Sequence, residues 1–221
     1  MKHFRNNSII LLAALIIVSC KTDMIERLDE LNFQTGAYMR TVPFEVYRAG
    51  SPVAKNQIDF FKSKFNEGKF ETVLEAVTAN KADDFAKYDL SIRFVDNTPA
   101  NGNKSTTFVP FRSIPASAFA KDAKTGYPRH TLVITASEVL AATKVAISDM
   151  TPQPLERRAN GTLAAKQVQF KDLPGDEFQI SAVMTLADGR TYSAANTGQN
   201  ITGGAFYASP FLYRVVVAEV E

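Results

Sequence analysis

One thiol, two histidines and no tryptophan set narrow limits on the chemistry open to this 221-residue chain. The thiol, Cys20, follows the apolar run Ile9–Val18 and the small residue Ser19. With no second cysteine it can form neither an internal disulfide nor a cysteine-based metal site, so covalent modification is its natural chemistry. His3 lies in the basic head, which leaves His130 as the one histidine of the body. A single imidazole without cysteine does not make a typical zinc site, and His130 is expected at the start of a strand. No G-x-S-x-G elbow presents a serine nucleophile, so no Ser-His-Asp triad is expected around His130. The paired acids Asp83-Asp84 and Asp176-Glu177 could serve acid–base chemistry if they faced a substrate, but adjacent acids read first as solvated loop residues. Asp83, Asp84, Asp96, Asn97 and Asp188 offer the hard oxygens that calcium prefers, without the spacing of an EF-hand loop. Gly161 and the pair Gly203-Gly204 do not sit between a strand and a helix as a phosphate-binding loop requires; they read as turn glycines. No enzyme activity, metal or cofactor is expected from these residues.

The elements that would position them begin with a leader. Ten apolar residues, Ile9 to Val18, follow Lys2 and Arg5 and give way to the polar Lys21-Thr22-Asp23. As a helix such a run is ~15 Å long at about 1.5 Å per residue, half of the ~30 Å hydrocarbon core, so it is too short to span a bilayer. A basic head, an apolar middle and a small-residue exit make a secretory signal peptide. With the cysteine at the cleavage position, residues 1–19 resemble a bacterial lipoprotein signal. The resemblance implies that Cys20 is lipidated, becomes the first residue of the mature chain and holds it to a membrane. Residues 20–33 are then a tether, and residues 34–221 the folded body.

Cleavage also changes the charge. The chain carries 25 Lys+Arg against 23 Asp+Glu; losing Lys2 and Arg5 leaves 23 against 23. A neutral body has no electrostatic footprint for nucleic acid, and none is expected as a partner. The 202 residues that remain after the first 19 of 221 are enough for one large domain or two small ones.

Along that body the dominant signal is a period of two. Gly36–Phe44, Lys69–Thr78, Tyr88–Asp96, Thr106–Ile114, His130–Ala136, Glu177–Leu186, Arg190–Ala195 and Phe211–Val220 read as strands. Pro110 places Thr106–Ile114 at a sheet edge. Gln57–Phe65 fits a strand or a helical turn, and Asp188-Gly189 marks a hairpin. Ser137–Lys144 has helical spacing with Ser137 as its N-cap. Thr151–Gly161 reads as an exposed excursion. Eight to ten short strands, one brief helix and no βαβ rhythm predict an all-β, antiparallel β-sandwich of immunoglobulin-like, Greek-key type. A division into two smaller sandwiches near 145–165 is the rival organisation.

The segments GAYMRTV (36–42), DLSIRFVDNTPANGN (89–103), LADGRTYSAANTG (186–198) and GGAFYASPFLYRVVV (203–217) resemble Bacteroidetes outer-membrane lipoproteins that accompany SusC/SusD-type nutrient-uptake systems. Acidic residues just after the cysteine, Asp23 and Glu26, resemble the surface-export signals of the same proteins. The resemblance implies a non-enzymatic binding or accessory protein, lipid-anchored at the outer membrane and facing the cell surface. Its implied partners are the membrane, a SusC/SusD-type transporter and a polysaccharide. Sugar platforms are usually aromatic, and without tryptophan the loop tyrosines Tyr47, Tyr127, Tyr192 and Tyr207 are the candidates. Tyr38, Tyr88 and Tyr213 are expected in the core. The alternative is a structural or adhesive module that contacts other proteins through sheet edges or loops.

Overall fold

Strand-forming segments dominate the computed structural model, which describes residues 37–42, 57–78, 81, 83–98, 102–165, 175–197 and 211–220. The leader, the tether, Cys20, Tyr47 and Tyr207 lie outside the described residues. From Ala37 onward the chain forms one compact unit. Its strands are β1 (Tyr38–Val42), β2 (Gln57–Phe61), β3 (Lys69–Val77), β4 (Phe85–Val95), β5 (Val109–Pro115), β6 (Ala120–Lys121) and β7 (Pro128–Thr135). They continue with β8 (Gln153–Arg157), β9 (Leu163–Ala165), β10 (Glu177–Leu186), β11 (Thr191–Tyr192) and β12 (Leu212–Val220). One short helix, α1 (Ala136–Thr143), interrupts them. The fold is all-β.

Two sheets face each other. The smaller runs β1-β3-β7-β6, antiparallel throughout. The larger is built on β5-β4-β10-β12, with β11 beside β10, β2 along β12, β8 on the last residues of β12 and β9 beside β8. Its spine is the β4–β10 pair, matched from Glu177↔Val95 to Leu186↔Phe85 with an irregularity only at the end. Both strands alternate buried and half-buried positions, the pattern that fixes register because a one-residue slip would turn every core side chain outward. Between the sheets lie Met39, Phe70, Leu74 and Leu132 from the small sheet and Ile92, Phe94, Phe178, Ile180 and Val215 from the large one. Aromatic contacts tie the layers together: the Phe70 and Tyr213 rings meet edge to face at 5.6 Å.

β5 lies at the sheet edge, where Pro110 and Pro115 leave no central ladder bond unmade. A register shift between Leu90 and Ser91 leaves Phe111 between Pro110 and Arg112 without a partner, as in a bulge. Gln57–Phe65 divides between the two structures its sequence allowed. The strand β2 ends at Phe61, and a 3-10 turn over Lys62–Glu67 buries Phe65.

Three expectations change. The cap lies two residues earlier than its serine suggests: Thr135, not Ser137, is the N-cap, because Thr135 and Glu138 form a reciprocal capping box. Thr151–Gly161 is exposed only from Glu156 onward. It holds β8, whose end turns through Arg158–Gly161 into β9, and prolines at 152 and 154 had hidden a strand that pairs at only three positions with β12. The pairing is antiparallel except at β12, whose neighbours β2 and β8 run parallel to it. Ala218 is matched with both Phe61 and Gln153, so these two strands occupy opposite flanks. β8 takes up the flank that β10 leaves after Val216. Periodicity reveals a strand but not the direction of its partner.

Candidate functional site

The outward face of the large sheet carries a connected row of polar side chains that crosses three strands. Residues 91 and 93 of β4 share that face with 179 and 181 of β10, since their neighbours Ile92 and Ile180 point into the core. Arg93 stands opposite Gln179, and Gln179 opposite Arg214 on β12. The Arg93 guanidinium donates through Nε (2.9 Å) and Nη2 (2.6 Å) to Gln179 Oε1. Gln179 Nε2 in turn donates to Glu177 Oε1 at 2.5 Å, and Glu177 Oε2 is clamped by Arg214. At the near end the guanidinium lies 4.7 Å over the ring centroid of Phe108, within cation–π range. Phe108 is 41% exposed. Ser91 and Ser181, a matched cross-strand pair, flank the row with short hydroxyl side chains.

A second network lies on the outer face of the small sheet. Arg40, Glu75 and Arg129 are cross-strand neighbours on β1, β3 and β7. Glu75 is fully buried and takes both guanidiniums, with Arg129 Nε at 2.8 Å and Thr125 Oγ1 at 3.1 Å. Arg129 also reaches Asp122 at 2.7 Å. Backbone amides of Thr125 and Lys124, the Thr125 hydroxyl and Arg129 hold the Asp122 carboxyl below its ordinary range against a smaller opposing effect of burial.

The third cluster corrects the reading of Asp176-Glu177 as solvated loop acids: Asp176 is 0% and Glu177 3% exposed. Asp176 is a staple. Its Oδ1 accepts the Asn97 amide at 2.9 Å and its Oδ2 the Thr151 amide at 2.6 Å, while its own backbone bonds Thr151 and Val217. Burial pushes its carboxyl above the usual range despite these hydrogen bonds, and nearby Asp96 adds to the rise. Beside it a groove of about 310 Å³ runs past Lys62, Lys104, Asp149 and Met150. Both ammoniums there are engaged, Lys62 with Met150 O at 2.6 Å and Lys104 with Asp149.

The tyrosines singled out by sequence separate. Tyr127 is half-buried just before β7, in the small-sheet network, with Arg40 5.7 Å from its ring centroid. Tyr192 lies on β11 of the large sheet, packed against the core and 3.4 Å from Arg190 Nη1. The structure therefore does not gather these two into one platform. Tyr88 and Tyr213 are fully buried, their hydroxyls 3.1 Å apart, and burial raises the pKa of both. Tyr38 is half-buried against the core.

His130 is the third residue of β7; its Nδ1 lies 3.0 Å from Ala118 O and its ring packs on Phe119. The oxygen residues considered for calcium stand apart: Asp83 pairs with Lys121, Asp84 accepts the Thr78 hydroxyl, Asp96 caps the amides of Thr98 and Lys104, and Asp188 pairs with Arg190. Among the described residues no three His, Cys, Asp or Glu side chains come together as a metal site. No described helix is long and apolar enough to cross a membrane.

What sequence reasoning missed is the Phe108–Arg93–Gln179 row. The outward positions of β4 and β10 were visible as the polar half of each alternation, but their mutual register was not.

No protein-family model matches this chain, and no curated protein matches it. Among solved structures it is similar to a mutant β-glucosidase from Listeria innocua in complex with laminaribiose, at 7% identity and a TM-score of 0.26. That match covers 85% of this chain and 17% of the other, and at so low a score it carries no argument about fold or activity.

Proposed function

We propose that the protein is a lipid-anchored, non-enzymatic surface protein of the outer membrane that serves a nutrient-uptake assembly as a binding or accessory subunit. The observation that carries this reading is the leader: an apolar run too short to span a bilayer, ending at the one cysteine of the chain. A Bacteroidetes lipoprotein of immunoglobulin-like fold, partnered by a SusC/SusD-type transporter, is the identity that the sequence resemblance favours. An all-β body with a neutral charge balance suits such a role. The mechanism is tethering: lipid confines the domain to two dimensions and raises its effective concentration beside a transporter or a polymer. Acyl chains contribute ~0.8 kcal/mol per buried CH₂, so more than one chain is needed for a stable hold.

The test is purification of the full chain from detergent-solubilised membranes of its own cell. Co-purification with an outer-membrane transporter, or retention on polysaccharide-containing gels, is the expected result. Recovery in the soluble fraction with neither property contradicts the reading. Self-association or capture of an adhesin-type protein, without transporter or sugar, would favour the structural alternative.

A further inference from the structure

We propose that the Phe108–Arg93 end of the large sheet's outward face is a binding site for an acidic saccharide, with Arg93 taking the carboxylate and Phe108 the apolar face of the sugar ring. The proposal rests on the uptake reading above and names the ligand class it would serve. Four observations converge on it. Arg93 is the cation of the row that no described carboxylate neutralises: Arg214 is matched by Glu177, whereas Arg93 bonds only the neutral Gln179 and the ring of Phe108. Its guanidinium is already oriented, because two N–H groups are fixed on one amide oxygen and its carbon lies over the Phe108 ring. Among the described residues Nη1 makes no hydrogen bond. A pre-set, planar, always-charged fork is suited to a carboxylate, and less of its rotamer freedom is left to lose on binding.

Phe108 offers an aromatic surface beside that charge, 41% exposed at the sheet edge. Ser91 and Ser181 continue the face along the neighbouring row. Strands ~4.8 Å apart place successive hydroxyl and amide groups at intervals of about one hexose unit. Carboxylate, apolar ring face and flanking hydroxyls are the three features of a uronic-acid residue. The groove by Lys62 and Lys104 lacks the aromatic surface, and its ammoniums are already engaged. The Glu75 network is closed by its own ion pairs.

The experiment is native affinity electrophoresis of the detergent-purified full chain through gels containing polygalacturonate, the neutral polymer laminarin, or poly-glutamate. Retardation by polygalacturonate, weakened by salt, is expected. Arg93→Gln and Phe108→Ala should each raise the apparent dissociation constant at least tenfold. Arg157→Gln, on the β8–β9 hairpin, should leave it unchanged, with circular dichroism confirming that every variant folds. Retardation by laminarin alone overturns the acidic-ligand inference and leaves the uptake reading standing. Equal retardation by poly-glutamate overturns it by showing a bare charge effect, and polygalacturonate binding that survives Arg93→Gln shows that the site is elsewhere. No retardation in any gel also overturns it, and co-purification with the transporter then decides separately whether the uptake reading falls.

Discussion

Glu75 shows how one residue can hold an outward sheet face together. A fully buried carboxylate is costly unless charges and hydrogen bonds compensate it, and here Arg40, Arg129 and Thr125 surround it. Glu75→Ala would take the shared carboxylate from Arg40 and leave Arg129 with Asp122 alone. We expect a loss of about 3 kcal/mol, the lower end for breaking a buried pair because both arginines are partly solvated, read as a fall in the urea midpoint at unchanged slope. Glu138 makes a prediction of another kind. Burial opposes its ionisation, but the amide and hydroxyl of Thr135 and the Arg112 guanidinium outweigh it and hold its carboxyl below the ordinary range. A carboxyl lowered in the folded state stabilises above its unfolded value of ~4.3, and that share is lost as pH falls through the folded value. Glu138→Gln should therefore lose less stability than the parent between about pH 7 and pH 3, measured by denaturant melts across the range. Asp176 has the opposite sign: its carboxyl is raised, so its share favours the folded state in acid and declines as pH rises.

At the scale of elements, the junction around β8, β10 and β12 is tightly packed at the backbone level. A Cβ on Gly175 would lie 2.3 Å from the Gln153 amide nitrogen and 2.4 Å from the Val217 carbonyl oxygen. Both obstacles are backbone and cannot swing aside. Gly175→Ala should cost about 1–3 kcal/mol as overpacking does, visible as a lower thermal midpoint, with loss of the folded signal as the extreme outcome. Nothing in the sequence advertises this glycine, because the strands that crowd it are 22 and 42 positions away. By contrast β10 was legible to the residue and β4 from Tyr88 onward, its start at Phe85 having been missed, since the alternation leaves one way to bury Ile92, Phe94, Phe178 and Ile180. Short strands were not. β8 pairs at three positions with β12 and carries a proline, so neither period nor propensity marks it. The helix was legible but its cap was misplaced, because Ser137 and Thr135 are both good caps and only Glu138 chooses between them. The Arg93 row was half legible: which side chains face outward follows from alternation, whereas which of them stand side by side is set by register across strands some 86 residues apart.

For the whole molecule, two sheets share one hydrophobic core, and the proposed leader says where that body works. On the proposed reading, acyl chains on the Cys20 sulfur tie the domain to the membrane. The most direct measurement is intact-mass and amino-terminal peptide mass spectrometry of the protein isolated from its own membranes. Lipidation predicts a chain that begins at Cys20, lacks residues 1–19 and carries diacylglyceryl and amide-linked acyl mass on that residue. A chain that keeps its leader, or one that begins at Cys20 with a free thiol, would contradict it.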